Sequence, residues 1–174
     1  MKRQHGFTML ELLISVGVIS LAAIATIGFY QQVSARQTAD EVRKQIMIVQ
    51  SAIKELYPDP NRTGLSATVL INAQKLPPGM VNGTSIVHKG GGAITVAPGN
   101  AAGGVANSGY TITVANVDPK DCATLAVHMG NTFPYLSVNG YAVKYPGSAS
   151  TVNASTAATY CAYSTSPSIQ IAGI

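Results

Sequence analysis

The sequence has little charge, no tryptophan and few of the residue types from which catalytic and metal sites are usually built. Only 10% of its 174 residues are Asp, Glu, Lys or Arg, well below the ~25% of a typical soluble domain. Such a chain has either an unusually apolar surface or a part that does not lie in water. The formal net charge of +4 is a weak basic bias, and it gives little support to a nucleic-acid-binding domain, which usually has a clustered basic face.

The scarce histidines and cysteines argue against several kinds of site. His5, His88 and His128 are too scattered to form an obvious metal site. Cys122 and Cys161 do not form a CxxC pair, which argues against a redox motif or a zinc ribbon. They pair in an oxidising compartment and stay thiols in the cytoplasm, so the compartment decides their state. No nucleophile elbow, phosphate loop or calcium loop is present, so we expect no enzymatic activity, no cofactor and no metal.

A long apolar run follows a short basic leader at the N-terminus. Between Phe7 and Tyr30, the only ionisable side chain before the tyrosine is Glu11. About 20 apolar residues are enough for a helix to cross the hydrocarbon core of a bilayer. Lys2 and Arg3 before the run favour a cytoplasmic N-terminus. An ordinary secretory signal has a shorter apolar core followed by a small-residue cleavage site, so a signal anchor is the simplest alternative.

Glu11 is the residue that a plain membrane anchor does not explain. A carboxylate inside a membrane helix costs roughly 2.5–3.5 kcal/mol near the bilayer centre and less near the interface. Cleavage after Gly6 would create a cation, the amine of Phe7, at the same level of the bilayer. A neighbouring copy that supplied this amine to Glu11 would fix the axial offset between copies, because only one offset neutralises both charges.

These residues resemble a known family at this point. A basic leader followed by Gly6-Phe7-Thr8-Met9-Leu10-Glu11 and an apolar run is similar to the processing site of type IV prepilins and related pseudopilins. The resemblance implies that a membrane aspartyl peptidase, the prepilin peptidase, cuts after Gly6 and that Phe7 becomes the methylated N-terminus. It also implies that Glu11 and Thr8 act in assembly.

The resemblance further implies how the protein is used. The precursor is expected in the bacterial inner membrane, and the mature subunit is expected in an extracellular helical filament, the pilus or fimbrium. The expected partners are further copies of the chain, the prepilin peptidase and an inner-membrane assembly platform with a separate ATPase. Adhesion, motility, DNA uptake and conjugation all use such filaments, so contact with nucleic acid stays open.

The fold expected from the pattern and the resemblance is α+β, a pilin fold with a long N-terminal helix packed on a small antiparallel sheet. After Tyr30 one apolar stripe continues at spacings of three and four. Its members are Ala35, Ala39, Val42, Ile46, Val49, Ile53 and Leu56. Proline after Tyr57 ends the helix. We therefore expect a cleaved leader at 1–6, a transmembrane or filament-core helix at 7–30, its amphipathic continuation at 31–57 and a globular head at 58–174.

Residues beyond the long helix predict short helices, strands and solvated loops. Helices are expected at 65–73 and from Asp118-Pro119 to about Met129, where an acidic cap precedes proline in the first turn. Asp118 and Asp121 are expected to be solvated at this helix start. Strands are expected at 85–88, 93–96, 110–114, 141–145, 159–163 and 168–171, and loops at 97–109 and 146–158.

Outside the cytoplasm, a disulfide between Cys122 and Cys161 is the favoured pairing, and it resembles the disulfide-bounded C-terminal region of type IV pilins. Cys122 on a short helix after a central strand is similar to the IVb branch. The short leader and Phe7 are similar to the IVa branch, so the subclass stays open.

Two alternatives to a major pilin also stay open. One is a minor pilin or a type II secretion pseudopilin, which shares the same processing motif. The other belongs to a different class, an uncleaved membrane-anchored periplasmic binding module. The sequence does not distinguish a major from a minor subunit.

Replacing Gly6 by leucine is expected to block cleavage, because the motif requires a small residue before the cut. Mass spectrometry of the N-terminus should find Met1 retained in Gly6→Leu and residues 1–6 lost from the wild-type chain. Gly6→Ala is the matched control, and we expect it to be processed in part. Wild-type processing of Gly6→Leu would contradict the assignment of the site.

Overall fold

The computed structural model describes residues 8–100, 105–148 and 151–174, without the side chains of residues 24–36. Helix α1 runs from Met9 to Leu56, so the long N-terminal helix expected from the sequence is confirmed. The chain forms two compact units, residues 1–36 and 37–174. The first unit is described with the candidate site below, and the following paragraphs concern the second.

The C-terminal part of α1 places one apolar stripe in the core. Ala39, Val42, Ile46, Val49 and Ile53 are all buried. They recur every three or four residues, as expected for one face of a helix. Of the other two predicted members, Leu56 is partly buried against the same core, and the side chain of Ala35 lies outside the described residues.

The end of α1 is fixed by proline and by a buried arginine. The Tyr57 amide donates the last helical hydrogen bond to the Ile53 carbonyl oxygen at 2.9 Å, and Pro58 then prevents continuation. The guanidinium of Arg62, which is buried, donates to the carbonyl oxygens of Tyr57 and Asp59. A cation at this position is favourable because the carbonyl end of a helix carries partial negative charge.

Among the described residues, three further α-helices and seven strands follow α1. The helices are α2 (Ala67–Asn72), α3 (Pro119–Gly130) and α4 (Ala154–Cys161), and a 3-10 turn spans Pro78–Met80. The strands are β1 (Val81–Asn82), β2 (Ser85–Val87), β3 (Ala93–Gly99), β4 (Gly109–Val114), β5 (Tyr135–Val138), β6 (Tyr141–Lys144) and β7 (Ile169–Gly173). The α+β class is therefore confirmed.

The strands form one antiparallel sheet in the order β1-β2-β3-β4-β7-β5-β6. The last strand of the chain, β7, lies between β4 and β5. Both Ile169 and Ile171 of β7 are fully buried, and Ile171 pairs with Ile112 on β4 and with Leu136 on β5. The core therefore depends on β7, which follows all the other described strands in the sequence.

Tyr110 joins the helix to the sheet. It is fully buried on β4, and its hydroxyl accepts a hydrogen bond from the Gln50 side-chain amide of α1 at 2.7 Å. Its ring occupies the space that a side chain at Gly173 on β7 would need. Burial raises the pKa of the Tyr110 hydroxyl, an effect that the Gln50 hydrogen bond and the positive charge of Arg62 partly offset.

The hairpin between β2 and β3 is held by an imidazole. The predicted pairing around the three glycines is confirmed, with Ile86 opposite Ile94. His88 is buried; its Nδ1 accepts from the Gly90 amide at 3.0 Å, and its Nε2 lies 2.8 Å from the Ala115 carbonyl oxygen. With Nδ1 as the acceptor, Nε2 is placed to donate to the Ala115 carbonyl oxygen.

Several local predictions were wrong. Residues 159–163 are not a strand, because Thr159, Tyr160 and Cys161 belong to α4. This helix also occupies 154–158, where a loop was expected. Asn153 caps it by accepting from the amides of Ser155 and Thr156, and such a cap outweighs the strand preference of the residues that follow. Strands β1 and β5 were not predicted, and β3 extends to Gly99 inside the predicted loop at 97–109.

A methyl group at Gly92 should destabilise the head. A Cβ there would overlap the Ala115 carbonyl oxygen and the His88 imidazole. Gly92→Ala should lower the free energy of unfolding by about 1–3 kcal/mol, the usual cost of overpacking, in urea unfolding followed by circular dichroism. Gly79→Ala is the matched control, since nothing lies within 4 Å of the position that its methyl group would take, and it should change stability by less than about 0.5 kcal/mol. Equal effects would contradict this account of the hairpin.

Candidate functional site

The first turn of α1 carries two of the predicted site residues. The Thr8 hydroxyl accepts a hydrogen bond from the Glu11 amide at 3.3 Å, and the Thr8 carbonyl accepts from the Leu12 amide at 3.2 Å. A threonine cap with a glutamate three residues later is the capping-box pattern of a helix start. Gly6 and Phe7, the predicted processing residues, lie outside the described residues.

Most of the described side chains that follow are apolar, and they are exposed on every side of the helix. The large ones are 54–88% exposed: Met9, Leu10, Leu12, Leu13, Ile14, Val16, Val18, Ile19 and Leu21. Monomeric soluble proteins rarely expose a continuous apolar surface of this kind. Among the described residues, no helix is both long enough and apolar enough to span a membrane.

Glu11 is the ionisable group within this apolar surface. The nearby hydroxyls of Ser15 and Ser20 donate to the carbonyl oxygens of Glu11 and Val16, at 2.5 and 2.8 Å, so the helix itself provides their acceptors. Glu11 shares the surface of this helix with Thr8, Ile14 and Ser15. In the part of the chain that the structure describes, the ion pair joins Lys75 to Glu55 and does not involve Glu11.

The disulfide expected in the C-terminal region is present. It joins Cys122 on α3 to Cys161 at the end of α4, with a Cα–Cα distance of 5.9 Å. Both cysteines are buried. The bridge therefore links two helices, whereas the sequence prediction had placed Cys161 on a strand.

The start of α3 differs from the prediction at one carboxylate. Asp118 is the cap and accepts from the Lys120 amide at 2.9 Å. Asp121 is 7% exposed, so the prediction that it is solvated was wrong. Burial raises the pKa of the Asp121 carboxyl above its ordinary value of 3.8, the negative charge of Asp118 adds to this, and Lys120 lowers it.

Sequence reasoning missed a cluster of three tyrosines beside the disulfide, here called the tyrosine triad: Tyr141, Tyr160 and Tyr163. The rings of Tyr141 and Tyr160 stack with centroids 4.9 Å apart and planes within 3°. The Tyr163 ring lies nearly perpendicular to both, at 5.5 and 5.7 Å. The members come from β6, from α4 and from the turn after α4, so no single motif in the sequence identifies them.

Comparison with known proteins gives the family. The family described as "PilS: PilS N terminal" matches residues 36–171, and the "Prokaryotic N-terminal methylation motif" matches residues 1–27. The chain belongs to the type IV pilin family. The family assignment made from the first residues is therefore confirmed, and the match to the larger part of the chain is independent of those residues.

Two solved pilins have a similar fold. The crystal structure of TcpA, a type IV pilin from the Vibrio cholerae El Tor biotype, has a TM-score of 0.60 at 18% identity and covers 79% of this chain and 99% of that one. The type IV b pilin from Salmonella typhi has a TM-score of 0.53 at 19% identity and covers 76% and 96%. At these identities the likeness shows the fold alone.

A curated relative matches by sequence. The toxin coregulated pilin of Vibrio cholerae is 25% identical over 149 residues, which is 78% of this chain. The chain spans 62% of the length of that relative.

Removing the disulfide should destabilise this pilin without preventing pairing of the sheet strands. Replacing both Cys122 and Cys161 by alanine should lower the free energy of unfolding by about 3–4 kcal/mol, as estimated for closing a loop of about 40 residues. Urea unfolding at equilibrium measures the loss.

The reduced wild-type chain is the control, because it keeps both sulfur atoms and loses only the bond. A comparable loss in the reduced chain and in the double variant assigns the effect to the cross-link. Wild-type stability of the double variant would show that the bridge contributes nothing to the head.

Proposed function

We propose that this pilin is a structural subunit that polymerises into an extracellular helical filament. The observation that carries the proposal is the apolar surface between Met9 and Leu21, where every large side chain is more than half exposed. Burying apolar surface contributes about 25 cal/mol per Å². A helix that is apolar all round requires lipid or other helices around it, and further copies of α1 provide such helices.

Glu11 supports assembly into one defined register. A carboxylate among apolar side chains is strongly favoured to find a cation. Cleavage after Gly6 creates the Phe7 amine next to this segment, and a neighbouring copy presents it to Glu11. The Thr8 cap contributes by holding the first turn of the helix in shape, since its hydroxyl binds the Glu11 amide.

Processing and location follow from the same motif. We infer that a prepilin peptidase removes residues 1–6 and that Phe7 is then methylated, in agreement with the match to the N-terminal methylation motif. The precursor is held in the bacterial inner membrane by a helix at residues 7–30. Residues 31–57 continue this helix, and residues 58–174 form the head. An assembly platform with its own ATPase supplies the work of extraction.

Two other functions make different predictions. A minor pilin or secretion pseudopilin is processed in the same way but is scarce in filaments sheared from the cell surface. An uncleaved membrane-anchored binding module retains Met1. Mass spectrometry of the N-terminus together with the abundance of the chain in sheared filaments separates the three.

Replacing Glu11 by alanine should leave insertion and cleavage intact but reduce filament yield at least about tenfold, because about 1.4 kcal/mol per subunit contact is already a factor of 10 in its equilibrium constant. Quantitative immunoblotting of sheared filaments measures the yield, and N-terminal mass spectrometry verifies cleavage. Comparing Glu11→Gln with Glu11→Ala separates the two effects, because glutamine removes only the charge whereas alanine also removes the hydrogen-bonding group.

Ser15→Ala is the matched control. Ser15 lies one turn from Glu11 on the same helix, and its hydroxyl donates to the Glu11 backbone carbonyl oxygen. It carries no charge, so filament yield should be unchanged. Normal yield from Glu11→Ala would contradict the charge-pairing mechanism, although the chain could still be a filament subunit.

A further inference from the structure

The tyrosine triad is an exposed aromatic surface on the head. Tyr141 is 50% exposed and Tyr163 is 60% exposed, while Tyr160 is partly buried against the core. Tyrosine provides a large and rigid contact area with two rotatable side-chain bonds, and for this reason it is enriched where proteins bind ligands. Two of the three residues of the triad are therefore at least half exposed on the head.

The backbone beneath the triad is fixed by three separate constraints. Asn139 and Gly140 form the turn before Tyr141, both with positive φ of 50° and 83°, which matches the type I′ hairpin turn. The Asn139 side-chain amide donates to the Tyr160 carbonyl at 2.8 Å, and its oxygen accepts from the Ser168 amide at 2.9 Å. The disulfide holds the adjacent Cys161. Rings positioned in this way lose little freedom when a ligand binds.

The low charge of the part of the sequence that contains the triad argues against two classes of ligand. Residues 122–174 contain no Asp or Glu, and their basic residues are Lys144 and His128. The Lys144 ammonium donates to the Gly130 carbonyl oxygen. Binding of single-stranded nucleic acid combines aromatic stacking with a positively charged groove, and an anionic membrane surface requires several Lys or Arg. Neither condition is met by this part of the sequence.

We propose that the tyrosine triad binds a neutral carbohydrate. A pyranose ring presents an apolar face of C–H groups, which packs on an aromatic ring, and a rim of hydroxyls, which exchange hydrogen bonds with tyrosine hydroxyls. Neither partner needs a charge for this mode of binding, in agreement with the scarcity of charged residues between 122 and 174. The inference goes beyond the role of filament subunit and does not depend on polymerisation.

The test uses the full-length chain purified in lauryldimethylamine oxide, a detergent without a sugar headgroup that would compete for the site. Maltotetraose and lacto-N-tetraose are the neutral probes, and sialyllactose and an oligo(dT) are the charged ones. Because the chain has no tryptophan, ligand-induced changes in tyrosine fluorescence report on the tyrosines directly. Saturation-transfer NMR identifies which protons of the sugar are in contact.

We expect a neutral oligosaccharide to bind with a Kd of about 1 mM or lower, and we expect Tyr141→Ala and Tyr163→Ala each to weaken it about tenfold or more. Tyr145→Ala is the matched control: Tyr145 is 63% exposed at the end of β6 but has no ring contact with the triad among the described residues. Binding to Tyr145→Ala should match the wild type. Thermal unfolding establishes that each variant folds, and Tyr141→Phe replaces Tyr141→Ala if the latter does not.

Three results would overturn the proposal. The first is absence of binding by both neutral probes at about 10 mM, and the second is an equal loss of binding in the Tyr145→Ala control. The third is a triad that binds only oligo(dT) or sialyllactose, or whose substitution changes only self-association in analytical ultracentrifugation. That last outcome would assign the surface to nucleic acid, to an anionic glycan or to a second copy of the chain.

Discussion

The hydrogen bond between Gln50 and the Tyr110 hydroxyl sets where α1 meets the sheet. The Tyr110 hydroxyl is buried and Gln50 is half-buried. A buried hydroxyl without a partner is costly, so the helix is favoured in the position that supplies the amide. The Tyr110 ring also fills the space above Gly173, which brings β7 into the same arrangement. Tyr110 on β4 thereby contacts both α1 and β7.

The central position of β7 extends this dependence over the whole head. Ile169 and Ile171 complete the core between β4 and β5. Both of these strands lie far from β7 in the sequence. Pairings of high sequence separation form late in folding, because the entropy of closing the loop is lost before the contact is gained. The disulfide joins α3 to α4 and so shortens the loop that must close before β7 can pair with β4. It thereby reduces the entropy lost in that pairing.

Local signals predicted some elements and failed for others. The end of α1 at Tyr57-Pro58 and the start of α3 at Asp118-Pro119 follow from the chemistry of proline and of helix caps, and the structure agrees at both. Strand β5 is only four residues long and pairs with β7. Its stability therefore comes from contacts with distant parts of the chain and not from its own sequence. At Tyr160 the aromatic side chain suggested a strand, but the Asn153 cap and the alanines of α4 favour a helix. The order of the strands has no local signal.

The same distinction applies to the sites. Glu11 is visible in the sequence because one ionisable residue interrupts an apolar run, whereas the tyrosine triad exists only after β6 and α4 have packed together. The exposed apolar segment of α1 also makes the protein sensitive to temperature. Covering that segment, with any apolar partner, carries a negative heat-capacity change. The driving force for covering it therefore weakens on cooling. Contacts made through the apolar segment of α1 should have their lowest affinity at low temperature.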